Sequence, residues 1–286
     1  MLLFEIVLKG LVYGSMYALM SVGLTLVYGL LRILHIAHAG IFTLGAFLGV
    51  VVTNATGSLT LGFAVAVVAA SLAGALIYRI GYQPVLDQPP HVPMIVSIGM
   101  LVMMEDGFRL VFGGYGLSFK ANPYYQSTVQ ILGVRFTQAE IATVLVSFAL
   151  LGLLSFVASR TRLGLGWRAT VTDAPMAASF GIDPVRVRYL NFVIGSALGA
   201  VAGVLIALLN NYVEPGMGAT LSYKGLAIIV LGGLGNVRGT LVASLLLGVV
   251  ENLGSIYLTD VLDRDAIGFL FLIVVLMIRP QGLVKA

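Results

Sequence analysis

The chain has 286 residues, of which 59% are hydrophobic and only 10% charged, with 16 Lys and Arg against 12 Asp and Glu. Soluble globular chains carry roughly 25% charged residues, so this composition excludes a sizeable soluble domain and points to a single integral membrane domain over residues 1–286. Cysteine is absent, which excludes disulfides, thiolate metal sites and cysteine nucleophiles.

The opening MLLFEIVLKG places an acid before its first base and lacks a small-residue cleavage site, so it reads as a retained first helix and not a removable signal peptide. Apolar runs then predict membrane segments at about 4–29, 39–54, 60–82, 93–113, 139–159, 189–211, 221–235, 239–258 and 266–279. The expected fold is all-α, a polytopic transmembrane helical bundle with about nine membrane segments. The runs at 39–54 and 221–235 hold about 15 residues each and reach only ~22 Å at the helical rise. They are expected to be short, broken or re-entrant, which is tolerated where protein or a cavity surrounds the backbone and favours a transport path over an anchor. Gly10 and Gly14, Gly45 and Gly49, and Gly195, Gly199 and Gly203 repeat at four residues, lining helix faces along which backbones can approach closely. The glycines of LGGLGNVRG (231–239) are too dense for a helix interior and mark a break between two segments.

Charge sets the expected orientation. The segment at about 160–188 carries Arg160, Arg162, Arg168, Arg186 and Arg188 against Asp173 and Asp183, so it should be cytoplasmic. Alternation from there puts Arg32, Arg79, Arg238, Arg279 and Lys285 inside as well. It puts 55–59, 114–138, 212–220 and 259–265 outside, with Glu214, Asp260, Asp263 and Asp265. The N-terminus is then external and the C-terminus cytoplasmic.

Ionisable groups inside spans are functional candidates by default. Glu105 and Asp106 lie four and three residues before Arg109, a spacing that allows a local ion pair as well as a place on a pathway. Glu251 has no base within four residues of its own helix, so it must face a cavity or borrow a partner such as Lys224. His35 and His38 are three apart, a spacing more often structural than metal-binding, and no metal site is expected. Asn191, Asn210 and Asn211 fall near span ends. No phosphate-binding Gly-x-x-x-x-Gly-Lys-Ser/Thr, serine triad or zinc-protease helix is present, so the chain reads as neither an ATPase nor any other enzyme, with no catalytic residues.

Within 160–188, Asp173 suits an N-cap, Pro175 a first turn and Gly181 a left-handed C′ position, so APMAASF (174–180) should form a two-turn helix. Asp183 and Pro184 should then open the next span. Met176 and Phe180 share one face of the short helix, suited to folding back on the bundle, to lipid headgroups, or to a cytoplasmic partner.

Three ordered stretches carry a resemblance that runs over essentially the whole chain: YALMSVGLTLVYGLLRILHIAHAGIFTLGAF (17–47), RATVTDAPMAASFGID (168–183) and AIIVLGGLGNVRGTLVASLLLGVVENL (227–253). The chain resembles the LivH-type permease subunit of branched-chain amino acid ABC importers. It departs from that pattern at His35, where Asn is common, at His38-Ala39-Gly40 in place of His-Gly, and at Glu105 and Asp106, where amides are frequent. The resemblance implies an ATP-driven importer subunit for amino acids or related small polar solutes, coupling ATPase motion to alternating access. It implies residence in a bacterial or archaeal cytoplasmic (inner) membrane, among membrane lipid. The implied partners are a second permease subunit (a similar chain or a second copy), two cytoplasmic ATPase subunits and an extracytoplasmic substrate-binding protein, with no nucleic acid. No cofactor is implied in this chain, since ATP and Mg would be bound by the ATPase subunits. Asp173, Ala174, Pro175, Met176, Ala177, Ala178, Phe180 and Gly181 would be the coupling helix. His35, His38, Glu105, Asp106, Asn191 and Glu251 are the candidates for the translocation path. The alternative from another class is a stand-alone ion-coupled secondary transporter or channel in which Glu105, Asp106 and Glu251 bind coupling ions.

Overall fold

The computed structural model describes residues 2–120, 127–131, 133–258, 262–279 and 282–283. Asp260 and Lys285 of the charge pattern lie outside the described residues. In chain order the elements are α1 (Leu2–Leu31), α2 (His38–Thr56), α3 (Leu59–Leu76), α4 (His91–Phe112), β1 (Thr128–Ile131), β2 (Val134–Thr137), α5 (Gln138–Arg160), α6 (Arg162–Thr172), α7 (Ala174–Ser179), α8 (Pro184–Asn210), α9 (Met217–Gly232), α10 (Val237–Tyr257) and α11 (Arg264–Ile278). A π-helical turn, Ile77–Tyr82, and a 3-10 turn, Gln83–Val85, prolong α3.

Helix ends follow side-chain chemistry. Ser58 caps α3, Thr137 and Glu140 form a reciprocal capping box on α5, and Asn236 accepts from the Gly239 amide at the start of α10. Each satisfies backbone donors that would otherwise face lipid or protein without a partner. Gly233 and Gly235 adopt positive φ and break α9 from α10, as the density of glycine there requires.

Among the described residues, six helices are long and apolar enough to span: α1, α2, α3 with its extension to Val85, α5, α8 and α10. The expected nine segments all correspond to helices, but α4, α9 and α11 do not meet that standard. In α4 the run is interrupted by Glu105, Asp106 and Arg109, while α9 and α11 have only 16 and 15 residues. The expectation of a short segment at 39–54 is corrected: α2 has 19 residues, since His38 and its neighbours are buried in the bundle and continue the helix where composition reads as a polar break. A small antiparallel hairpin adds to the all-α class, pairing Val129 with Phe136 and Gln130 with Arg135. A helix, α6, also occupies part of 160–188, beyond the two-turn helix expected there.

The bundle is arranged around α1 and α8, which are the most enclosed. Helix α1 packs on α10, α8, α5 and α9, and α8 packs on α1, α2 and α3. In lipid no hydrophobic effect drives helices together, so close backbone approach supplies the packing energy. Glycine makes that approach possible. A Cβ on Gly248 of α10 would lie 2.5 Å from the Gly10 carbonyl oxygen and the Gly14 amide of α1. One on Gly45 of α2 would lie 2.5 Å from the Ala200 Cα of α8. By contrast α3, α4 and α5 turn large apolar side chains outward, among them Leu72, Leu76, Met103, Leu110, Leu145 and Phe156.

Gly248→Ala should therefore force α1 and α10 apart and cost ~1–3 kcal/mol. The identical change at Gly152, which has no atom within 4 Å of its virtual Cβ, should be neutral or slightly stabilising through helix propensity. Thermal unfolding of the two variants in detergent checks the difference, and equal melting temperatures would contradict the packing account.

Candidate functional site

Two polar assemblies stand at opposite ends of the bundle, joined by α8. The first is the surface made by α6 and α7. Asp173 Oδ1 accepts from the Met176 amide at 2.9 Å, Pro175 sits in the first turn, and Gly181 has φ +82°. The turn is held closed by the Ile182 amide donating to the Ala177 carbonyl at 3.1 Å. Asp183 Oδ1 then accepts from Val185 and Arg186 amides at 2.9 and 3.3 Å and starts α8. All the expected end signals of the short helix are in place. Ala177 is buried against the chain, whereas Phe180 is 80% exposed and Met176 56%. An aromatic ring this exposed at the end of a six-residue helix presents an apolar point that nothing among the described residues covers. Helix α6 folds back along α5, and the Arg168 guanidinium donates to the Ala158 carbonyl. Asn191 is buried near this end and borders a mostly apolar cavity of about 310 Å³ with Trp167, Ile182 and Leu190.

The second assembly is a buried charge cluster. Glu251, on α10, is fully buried and borrows the partner the sequence suggested: Lys224 Nζ of α9 lies 3.0 and 3.1 Å from its two carboxylate oxygens. Two further donors reach Glu251 Oε2, the Tyr17 hydroxyl of α1 at 2.8 Å and Arg264 Nε of α11 at 3.3 Å. Lys224 also contacts Asp265 Oδ1 at 2.7 Å, and the Arg264 guanidinium stacks 4.0 Å from the Tyr13 ring centroid. Two cations thus meet two anions, and four helices are tied at one point. Burying charge is costly, and only balance and full hydrogen bonding offset it. Tyr17, Arg264 and Asp265 were not singled out as site residues from sequence. Asp265 reads there as an external acid, whereas at the start of the short α11 it and Arg264 lie half-buried against the cluster.

The remaining candidates are placed separately. His35 and His38 are both buried, with ring centroids 5.7 Å apart. His35 Nδ1 pairs with the Tyr82 hydroxyl at 2.7 Å, which donates to Ser97 Oγ at 2.7 Å. His38 fills the space left by Gly23 and Gly199. This is a packed network, and among the described residues no group of three metal-binding side chains occurs. Asp106 and Arg109 form the expected local ion pair at 2.8 Å on the exposed side of α4, with Glu105 half-buried beside them. They are not brought together with Glu251.

With this geometry in view, the chain matches over residues 6–278 the family described as "Branched-chain amino acid transport system / permease component". It is 31% identical to the high-affinity branched-chain amino acid transport system permease protein LivH of Escherichia coli K12, covering 96% of this chain and 93% of that one. It is 28% identical to the corresponding permease protein LivM of Salmonella typhimurium, over 93% of this chain and 67% of the relative. Among solved structures, a chain of PsaBC from Streptococcus pneumoniae in complex with Fab superposes with a TM-score of 0.53 at 16% identity, covering 96% of this chain and 91% of that one. That likeness concerns the fold alone.

Removing one member of the buried cluster leaves an unbalanced charge. Glu251→Gln should lower stability by ~3 kcal/mol or more, and adding Lys224→Met should restore part of the loss. A double-mutant cycle read by thermal unfolding measures the coupling, and strict additivity would mean that Lys224 and Glu251 do not interact.

Proposed function

The chain belongs to the family of branched-chain amino acid transport system permease components, and from that premise we propose that it carries amino acids or closely related small polar solutes as the transmembrane permease subunit of an ATP-driven ABC importer. The observation that carries this is the match over nearly the whole chain, residues 6–278. A family of transport permeases is not a family of enzymes, and the multi-pass helical bundle suits a path through a membrane. The likeness to both LivH and LivM supports pairing with a second permease subunit. We assign ATP and Mg to two cytoplasmic ATPase subunits and cargo delivery to an extracytoplasmic binding protein. In this reading the base-rich 160–188 segment and the C-terminus face the cytoplasm and the N-terminus faces outside.

The mechanical argument follows from α7 and α8. Helix α7 presents Phe180 and Met176 to an ATPase groove as the coupling helix. Asp173 fixes the start of α7, and the short connection from α7 to α8 is set by Gly181 and Asp183. Displacement of α7 on ATPase closure is therefore passed to α8, whose 27 residues reach about 40 Å. Buried against α1, α2 and α3, α8 carries the movement to the far end of the bundle, where Ile206 and Asn210 border a cavity. That connection links ATP use to access on the opposite face.

The test is reconstitution with the second permease, the ATPase subunits and the binding protein in proteoliposomes. ATP-dependent amino-acid uptake is expected. Uptake by this chain alone under an ion gradient would instead establish a secondary transporter.

Two variants probe the coupling helix. Phe180→Asp places an unpaired charge in the ATPase groove, a cost of several kcal/mol that weakens docking by about a hundredfold or more. ATPase copurification and uptake should be lost while binding of the external protein persists; normal copurification would rule out α7 as the coupling element. Ser179→Cys in this cysteine-free chain should be labelled only from the cytoplasmic side, and external labelling would reverse the orientation.

A further inference from the structure

The charge cluster floors a cavity of about 340 Å³, of a size that holds small ligands. It lies at the end of the bundle remote from α7, since it is bordered by the last turn of α8 and the first turns of α9 and α11. Its lining combines the apolar Ile206, Met217 and Leu221 with the ionic Lys224, Arg264 and Asp265 and the exposed Glu214.

The cations are not equally occupied. Lys224 Nζ is engaged by Glu251, Asp265 and the Tyr17 hydroxyl. Arg264 spends its Nε on Glu251 and its face on Tyr13, but its Nη2 is shielded from solvent with no hydrogen-bond partner among the described residues. A shielded guanidinium donor without an acceptor is unfavourable and gains from a carboxylate. On the anionic side, Asp265 uses Oδ1 for Lys224 while its side chain stays 37% exposed. Glu214, which is exposed, borders the same space.

We infer that this cavity binds a zwitterionic α-amino acid, its carboxylate on the Arg264 guanidinium, its ammonium between Asp265 and Glu214, and its aliphatic side chain against Ile206, Met217 and Leu221. The inference rests on the transport function proposed above and names the site at which cargo is first held by the permease. A ligand bearing both charges leaves the balance of Lys224 and Arg264 against Glu251 and Asp265 unchanged, with Glu214 as the added acid that meets its ammonium, whereas a bare carboxylate would leave Glu214 unmatched. Competition with the internal ion pairs keeps the affinity low, as release toward the path requires.

The test uses the assembled importer in nanodiscs without binding protein. Thr220 borders the cavity, and Thr220→Cys supplies the chain's single thiol. Its labelling rate by a membrane-impermeant maleimide is measured against increasing L-leucine, 4-methylpentanoate (the carboxylate alone) and 3-methylbutylamine (the amine alone). Leucine should slow labelling, with each analogue about tenfold less potent, the loss of one charge-assisted contact. Glu214→Gln, a rim change outside the packed cluster, should weaken leucine protection about tenfold or less. Met217→Trp, which fills the aliphatic side, should abolish it. Absence of protection, equal protection by 4-methylpentanoate, or protection unchanged in Met217→Trp would each overturn the inference. ATP-driven leucine uptake by the same importer, with binding protein restored, is scored separately. Uptake without protection rejects the site and keeps the transport function; protection without uptake keeps the site and rejects that function.

Discussion

Helices in a bilayer gain nothing by hiding apolar side chains from one another, because lipid tails are equally apolar. What holds this bundle is contact between backbones, and it is available only where side chains are absent. Gly10 and Gly14 against Gly248 set the α1–α10 distance, and Gly45 against Ala200 sets that of α2 and α8. Because α1 and α8 are enclosed by these contacts, the positions of Tyr17 on one and Ile206 on the other are fixed to a fraction of a side chain. The polar cavity between α1, α8, α9 and α11 inherits its shape from that constraint.

The second requirement is electrical. Lys224, Glu251, Arg264 and Asp265 come from three helices, and Tyr17 adds a neutral donor from a fourth. Glu251 and Lys224 are buried too deeply to stand alone, and the half-buried Arg264 and Asp265 complete the balance. The arrangement joins the short helices α9 and α11 to the long α1 and α10. A short helix lacks the length to be anchored at both membrane faces, so an interior ionic contact takes the place of that anchorage.

Much of this was legible in the sequence, for identifiable reasons. Caps act over three or four residues, so Asp173, Gly181 and Asp183 gave the ends of α7 and the start of α8 directly. The glycine spacings named the close faces, and the lack of a nearby base on α10 sent Glu251 to Lys224. The likeness to branched-chain amino acid permeases was carried by three stretches quoted above and is borne out along the chain. What escaped depended on depth. Asp265 looks like a loop residue because it precedes an apolar run, and only the placement of α11 brings it and Arg264 onto Lys224 and Glu251. The length of α2 was underestimated because His35 and His38 resemble a polar break, whereas the bundle pairs His35 with Tyr82 and packs His38 beside Gly199. The hairpin at 128–137 has no strong turn signature in its sequence.

The glycine faces of α8 also govern how it can move. Gly195 and Gly199 meet Gly23 and the His38 ring, and Gly203 meets the Phe42 carbonyl, so along this strip few branched side chains lock one helix into the ridges of its neighbour. Smooth strips of this kind permit small sliding displacements in which side-chain rotamers need not change, the shear class of motion. Such sliding is limited to an ångström or two before backbone atoms collide. A stroke that short does not open a solute-sized passage within one bundle; in the proposed importer the large change in width would fall between this bundle and a second permease subunit.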